Sequence, residues 1–393
     1  MQATQKHLSH WLVLLLSAAT GVCVASNYYA QPLLHTISHD LAISSSSVGI
    51  VITIAQLSYA LGLVLLVPLG DLVERRKLIV SMFFASMSGL IISATAQNIT
   101  WLLIGTSVSG FFAVVAQMII PFAASLASPS GRGQVVGTIM SGLLLGILLA
   151  KTAAGICSDL GSWRTIYLVA AITLFIINLL LLKTLPRSPA GFQMSYLRLL
   201  ASTLRQFITY PRLILYAFLG ALNFATFSIL WTPIAFVLAN KPYFFNDTVI
   251  GLFGLAGAAG ALFAPYVGKL ADKGKSNLVI TLGFLLLIGS WLPLYFSKFS
   301  LILLIIGIVL LDLAVQTAHV TCMNQVYQLN QASRNRLNAC YMISYFIGGA
   351  LGSFGSMHIF TLYNWSGVVM AGTCTALLAL IIWLIFYPQQ NNV

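Results

Sequence analysis

Three ionisable side chains interrupt long apolar stretches of the sequence: Lys151, Asp312 and His319. A charge at the centre of a lipid bilayer costs about 2.5–3.5 kcal/mol, so such groups usually face a cavity or a partner. Asp312, Gln316 and His319 are spaced i, i+4 and i+7, which places them on one face of a helix. One hypothesis is that Asp312 exchanges a proton, with His319 as a second site or relay. The alternative is a fixed ion pair between Asp312 and Lys151, with His319 a hydrogen-bonded structural residue.

A second group of polar and aromatic residues surrounds two prolines, Pro32 and Pro233, within apolar runs. Proline frees backbone carbonyl groups and loosens a helix, which suits contact with a ligand. The predicted ligand-binding residues are Asn27, Tyr28, Gln31, Gln56, Tyr59, Gln117, Asn223, Phe227, Trp231 and Gln316. For Tyr28, Tyr29 and Trp231 the alternative is an anchoring role at the membrane surface, where aromatic rings are common.

The composition indicates which elements hold these residues. Of the 393 residues, 59% are hydrophobic and 7% are charged, whereas about a quarter of a soluble domain is charged. Apolar runs of the length that a helix needs to cross a bilayer recur along the chain, which predicts an all-α membrane protein with twelve transmembrane helices. The spans are expected at 11–35, 47–69, 78–96, 100–122, 134–157, 165–184, 212–238, 248–267, 277–296, 299–327, 337–360 and 366–387.

The basic residues indicate orientation. The net charge is +12, and of the 19 lysines and arginines 15 fall in loops on one side, three on the other, and Lys151 within a span. Cytoplasmic loops carry an excess of lysine and arginine, so both termini are expected in the cytoplasm and the chain in the bacterial inner membrane. The charge therefore reflects topology and requires no nucleic-acid partner.

The sequence also contains a weak internal repeat. Three pairs of landmarks recur at offsets of 201 or 202 residues: Pro32 and Pro233, Asp71 and Asp272, and Trp163 and Trp365. Many membrane carriers contain such repeats. We expect two parallel six-helix bundles, 1–184 and 212–393, joined by a cytoplasmic linker, 185–211, with an amphipathic piece at 194–209.

Two basic turns occupy matching positions in these halves. The turn after the second span reads Leu69-Gly70-Asp71-Leu72-Val73-Glu74-Arg75-Arg76-Lys77, and the turn after the eighth reads Gly268-Lys269-Leu270-Ala271-Asp272-Lys273-Gly274-Lys275. Both resemble the GxLaDrxGrr signature of the major facilitator superfamily, although Val67 and Glu74 stand where the first copy should have glycine. The alternative is that these acids only balance a basic loop.

The resemblance implies a secondary transporter in which two bundles rock about a cavity lined by helices 1, 4, 7 and 10. It assigns gating roles to the residues of the two turns, which are Gly70, Asp71, Arg75, Arg76, Gly268, Asp272 and Lys273. It also places the face carrying Asp312 on the substrate path. The proton-exchanging candidates under this interpretation are Asp312, His319 and Lys151.

The expected function is proton-coupled efflux of small drug-like or sugar-like molecules by alternating access. Gly142 and Gly146 partly match the GxxxGPxxGG pattern of the superfamily's antiporters, although close helix packing is the better explanation of their spacing. A proton-coupled uptake carrier and a non-transporting membrane sensor remain alternatives. We expect a monomer whose partners are a small-molecule substrate, the proton and the bilayer, with no enzymatic activity, cofactor or metal.

Overall fold

The computed structural model describes residues 9–128, 131–186, 195–262, 275–330 and 333–386, and only the backbone at positions 71 and 260–262. Helices, short turns and bends make up these ranges, and none of their residues belongs to a β-strand. The prediction of an all-α membrane protein is therefore confirmed.

The part of the chain up to residue 184, here called the N-terminal half, is built from nine described helices. They are α1 (His10–Ala25), α2 (Ala30–Asp40), α3 (Ser45–Leu65), α4 (Leu69–Leu72), α5 (Arg75–Ala94), α6 (Ile99–Phe112), α7 (Val115–Leu126), α8 (Arg132–Leu160) and α9 (Trp163–Thr184). Serine and asparagine side chains cap several of them, because a side-chain oxygen can accept from a free N–H of the first turn. Ser44 and Asn98 do so at α3 and α6.

The linker contributes α10 (Tyr196–Thr209), and the part from residue 211 onward, the C-terminal half, follows it. Its described helices are α11 (Pro211–Trp231), α12 (Ile234–Ala239), α13 (Asp247–Leu262), α14 (Ser276–Tyr295), α15 (Leu301–Leu329) and α16 (Arg334–Phe386). The helix α16 is interrupted at Asn364, whose φ of 52° and ψ of −154° are not helical.

Nine helices of the described residues are long and apolar enough to cross a membrane, and ten if the bent pair α1–α2 is one span. Dividing α16 at Asn364 and adding the shorter apolar α13 gives twelve, which is consistent with the predicted number. The fourth predicted span consists of two helices, α6 and α7, with a break between them.

The two prolines of the sequence repeat mark corresponding breaks. Pro32 lies in the first turn of α2, and the preceding break bends the α1–α2 pair by 41°. Pro233 precedes the first residue of α12, directly after α11 ends. Proline lacks an N–H group and clashes with the preceding helical turn, so both spans are interrupted at the position that the sequence indicates.

Glycine contacts hold α1 against α8. A methyl group added at Gly142 or Gly146 would overlap the α1 backbone at Ser17 or Gly21, and the Ser17 hydroxyl donates to the Thr138 carbonyl oxygen at 2.8 Å. Small residues let two backbones approach closely, and the resulting van der Waals packing favours helix association in a bilayer. Close packing therefore accounts for the glycine spacing in α8.

We expect Gly146→Ala to lower the thermal stability of the protein, because its methyl group would force α1 and α8 apart. Overpacking of this kind costs about 1–3 kcal/mol. Gly137→Ala is the matched control in the same helix, since nothing lies within 4 Å of its added methyl group. Alanine at position 137 should stabilise α8 slightly, because alanine has a higher helix propensity than glycine. Thermal unfolding of detergent-purified variants measures both, and equal melting temperatures would contradict the packing argument.

The linker helix α10 contacts both halves, and it confirms a helix at the predicted amphipathic piece. The Tyr196 hydroxyl donates to the Leu65 carbonyl oxygen at 2.7 Å, and the Cys340 thiol contacts the Thr203 carbonyl oxygen at 3.1 Å. Leu197, Leu204 and Ile208 are exposed along one side of α10. This apolar stripe fits a helix lying on a membrane surface.

The two halves meet through three groups of helix contacts: α3 with α16, α8 with α13, and α2 with α12 and α13. We call the side on which α10 lies the linker side, and the side on which α2 and α8 end the far side. The helices α2 and α12 are the far-side segments of broken spans. The contacts between α2, α12 and α13 therefore close the halves together on the far side.

Candidate functional site

The centre of the site is a buried cluster of Asp312, Trp231 and Lys151. The indole N–H of Trp231 donates to Asp312 Oδ1 at 3.1 Å. The Lys151 ammonium lies 2.9 Å from the centroid of the same ring. Lys151 is 5% exposed and Asp312 is 7% exposed. One aromatic ring thus joins a carboxylate on α15 to an ammonium on α8 of the other half.

A face of α13 lined with glycine makes room for this cluster. An alanine methyl group at Gly254 would lie 2.9 Å from Lys151 Cβ, and one at Gly257 would overlap Asp312 Oδ2. The Thr152 hydroxyl donates to the Gly251 carbonyl oxygen at 3.2 Å. The glycine face of α13 therefore accommodates the charged cluster, because larger residues would exclude both charged side chains.

The remaining predicted proton-exchanging residue, His319, contacts a different partner. Its Nδ1 lies 3.1 Å from the Tyr341 hydroxyl, and its ring centroid lies 4.5 Å from that of Tyr345. These contacts fit the structural role proposed for His319 better than the relay. The alternative prediction was an ion pair between Asp312 and Lys151. In the structure the two residues meet through Trp231, because the Lys151 ammonium lies on the ring whose N–H donates to the Asp312 carboxylate.

Aromatic rings continue from this cluster toward the linker side. Phe227 lies 6.0 Å from Trp231 between ring centroids, and Phe224 stacks on Phe227 at 5.4 Å and on Tyr345 at 4.2 Å. Phe227 is also 5.4 Å from the Lys151 ammonium. The ring faces that line this region carry partial negative charge, so they favour cations and flat apolar groups.

Of three predicted ligand-binding residues on α3 and α7, two contact the C-terminal half. The Gln56 amide donates to the Ser228 hydroxyl at 3.2 Å, and the Gln117 amide donates to the Tyr59 hydroxyl at 3.2 Å. The Tyr59 ring lies 4.4 Å from that of Phe346. Gln56 and Tyr59 therefore contribute to the contact between the halves, and Gln117 holds the Tyr59 hydroxyl.

The other predicted ligand-binding residues are spread over α11, α15, the first turn of α2 and the break before it. The Asn223 amide donates to the Val315 carbonyl oxygen at 2.9 Å. Asn27 packs against Gly110, while Tyr28 and Gln316 are half-buried. Gln31 is buried, and no protein group hydrogen-bonds its side-chain oxygen or nitrogen. A buried amide without a partner is costly, which makes Gln31 a good candidate to meet a ligand.

Two arginines of the first basic turn hydrogen-bond to backbone carbonyl groups of the N-terminal half. The Arg75 Nε donates to the Gly70 carbonyl oxygen at 3.0 Å, and the Arg76 guanidinium donates to the Leu182 carbonyl oxygen of α9. The Asp71 side chain lies outside the described residues, as do Gly268, Asp272 and Lys273 of the second turn. The gating role of these turns stays a prediction.

A second cross-half cluster, which the sequence reasoning did not identify, closes the far side. Asp247 of α13 is 6% exposed and accepts hydrogen bonds from the Thr36 hydroxyl at 2.7 Å and the Ser158 hydroxyl at 2.6 Å. Asp159 accepts from the backbone N–H of Thr248 at 2.9 Å. We call these five residues the far-side latch, since each contact joins α2 or α8 to α13.

One signal in the sequence could have indicated this latch. The chain has only seven acidic residues, and two of them, Asp159 and Asp247, stand at adjoining ends of the fifth and eighth predicted spans. Acidic residues are scarce in such a chain because a charged side chain in contact with lipid costs free energy. Two acids at facing helix ends are therefore worth treating as a candidate polar interface.

Within the described residues, no group of three or more histidine, cysteine, aspartate or glutamate side chains could hold a metal ion. The arrangement found instead has buried charges bridging two groups of membrane-spanning helices. Together the fold and the charged cluster define the class of protein as a multi-pass membrane transporter.

Comparison with known proteins identifies the family. The family model described as Major Facilitator Superfamily matches residues 16–329 and 217–392, so the chain belongs to that superfamily. The uncharacterized transporter YgaY of Escherichia coli O157:H7 is 51% identical over 391 residues, covering 100% of this chain and 99% of the relative. A probable sugar efflux transporter of Helicobacter pylori (strain G27) is 26% identical, covering 95% of this chain and 94% of the relative.

The fold also matches solved structures. A bacterial homologue of the human lysosomal transporter Spinster, in an inward-facing and unoccupied conformation, superposes with a TM-score of 0.76 at 15% identity. The match covers 96% of this chain and 95% of that chain. At this identity the likeness concerns the fold alone.

Proposed function

We propose that this protein is a proton-coupled transporter that exports small organic molecules across the bacterial inner membrane by alternating access. The observation that carries the proposal is the buried Asp312 carboxylate, joined through Trp231 to Lys151 of the opposite half. When the halves part at this level, Lys151 must leave the ring. Asp312 then needs another positive charge, because an unpaired carboxylate is costly at membrane depth.

A proton supplies that charge in the proposed cycle. With the linker side in the cytoplasm, as the loop charges indicate, this structure is closed to the outside by the far-side latch. Opening the far side withdraws Lys151 and exposes Asp312 to external protons. Closing it returns Lys151, which displaces the proton toward the cytoplasm and completes one step of antiport.

The proposed direction of substrate movement has separate support. The Helicobacter pylori relative carries the name of a probable sugar efflux transporter. The proposed substrates are small and largely uncharged or cationic, since aromatic rings and amides dominate the surroundings of Asp312. A division into bundles 1–184 and 212–393 would place Lys151 in one bundle and the Asp312 and Trp231 side chains in the other.

The proposal is tested by a substrate-panel assay in proteoliposomes of known orientation with an imposed pH gradient. We expect at least one small organic compound to leave the cytoplasmic compartment as protons enter it, with entrapped pyranine reporting the proton flux. Substrate and proton moving in the same direction would identify an uptake carrier. No flux of any compound across a broad panel would indicate a sensor.

Closing the far side covalently should stop transport. Gly49 of α3 and Met357 of α16 face each other there, and a Cβ built at Gly49 lies 3.0 Å from Met357 Cβ. A Gly49→Cys/Met357→Cys pair can thus reach disulfide geometry with a small backbone adjustment. In a background lacking the five native cysteines, oxidation should lower the transport rate at least about ten-fold, and reduction should restore it.

The two single cysteine variants are the controls, since neither can form the bridge. Their rates should be indifferent to oxidant. A cross-linked protein that still transports at the normal rate would show that the far side does not need to open.

A further inference from the structure

The Lys151 ammonium lies between two aromatic rings, close to the Asp312 carboxylate. The Trp231 ring supplies one face at 2.9 Å from the Lys151 ammonium, and the Phe227 ring supplies another at 5.4 Å. The Asp312 carboxylate lies at the edge of the Trp231 ring, held by the indole N–H at 3.1 Å. Two aromatic faces and a carboxylate are the groups that proteins use to bind ammonium ligands.

The Lys151 ammonium and the groups around it come from opposite halves of the protein. Phe227 and Trp231 lie on α11 and Asp312 on α15, whereas Lys151 lies on α8. The Lys151 stem reaches the site across the glycine face of α13, where Gly254 allows close approach. Separation of α8 from α13 therefore removes the ammonium and leaves the rings and the carboxylate together.

We propose that Phe227, Trp231 and Asp312 form the binding site for a small organic ammonium substrate, for which Lys151 is a tethered competitor. This inference rests on the proposed alternating exposure of the site. In the proposed cycle the organic ammonium displaces Lys151 from the linker side, a proton replaces the organic ammonium when the far side opens, and Lys151 displaces the proton when the far side closes. Only one of the three can occupy the carboxylate at a time. Such mutual exclusion couples the movement of the organic cation to the movement of the proton.

Removing the tethered ammonium should open the site to a free one. The probe is radiolabelled n-butylammonium, which reproduces the lysine side chain, and equilibrium binding is measured on the purified full-length protein in lipid nanodiscs. We expect Lys151→Ala to bind n-butylammonium at least about ten-fold more tightly than the wild-type protein. If the alanine variant does not yield monodisperse protein, Lys151→Ser leaves the same space and is used instead.

Lys298→Ala is the matched control. The Lys298 ammonium also lies over aromatic rings, 4.9 Å from Phe299 and 5.8 Å from Tyr295, but on the exposed far surface. Its removal should leave n-butylammonium binding unchanged. Adding Trp231→Leu or Asp312→Asn to Lys151→Ala should abolish the gained binding, because each removes one part of the site.

Two results would overturn the proposal. One is a monodisperse Lys151→Ala or Lys151→Ser protein that binds n-butylammonium no better than the wild type. The other is binding of butyrate by the wild-type protein that is lost in Lys151→Ala, which would make Lys151 part of an anion site. Proton flux is measured separately with pyranine, so failure of proton coupling is distinguishable from failure of the ammonium site.

Discussion

Asp312→Asn is expected to abolish the response of transport to a pH gradient. Asparagine retains the shape of the side chain and can still accept from the Trp231 indole, but it cannot exchange a proton. It also leaves Lys151 facing a neutral partner. An unpaired ammonium at membrane depth costs about 2.5–3.5 kcal/mol, and no proton exchange remains to offset it, so gradient-driven transport should fall about a hundred-fold.

The measurement is the initial rate of substrate flux in proteoliposomes at several imposed pH gradients. Asp40→Asn is the control, since Asp40 pairs with Arg164 at 2.8 Å within the N-terminal half, outside the Asp312 cluster and the two basic turns. Its variant should transport at the wild-type rate. If the Asp312→Asn variant keeps a full response to the pH gradient, Asp312 does not couple proton movement to transport.

Gly257→Ala should damage the same site without changing any polar group. The added methyl group would overlap Asp312 Oδ2 and lie 2.9 Å from the Trp231 ring. Either the carboxylate moves off the indole N–H or α13 moves away from α15. Overpacking costs about 1–3 kcal/mol, and a displaced Asp312 no longer faces Trp231, so we expect transport to fall at least about ten-fold.

Gly355→Ala provides the comparison, because it makes the same substitution within α16, where nothing lies within 4 Å of the added methyl group. This variant should transport normally and unfold at an equal or higher temperature. Both variants are assayed for flux and for thermal unfolding. Normal transport by Gly257→Ala would mean that the Asp312 carboxylate does not need its present position.

Elements of the fold that depend on local chemistry were predicted correctly. The apolar runs anticipated the membrane-spanning helices, Pro32 and Pro233 marked two breaks, and the amphipathic piece at 194–209 became α10. The break between α6 and α7 was not predicted, since Pro121 lies inside α7 and no proline stands at the break itself. A mid-span break of that kind arises from packing with neighbouring helices.

Parts of the site were also visible in the sequence, because a charge within an apolar run is conspicuous. Asp312 and Lys151 were selected for that reason. They were expected to interact because few other charged residues lie within the apolar runs. The role of Trp231 was not foreseen. A tryptophan near a helix end has an ordinary explanation as an interfacial anchor, and only its contacts show that its edge binds Asp312 while its face carries Lys151.

By itself the sequence determined that the protein is helical, crosses a membrane many times and buries a few charges, since hydropathy, proline and charge act locally along the chain. Only the tertiary structure decided which charges meet. Trp231 and Asp312 are 81 residues apart, and Thr36 and Asp247 are 211 apart. Contacts over such distances depend on how the helices of the two halves are arranged, and that arrangement brings together the Asp312 cluster and the far-side latch.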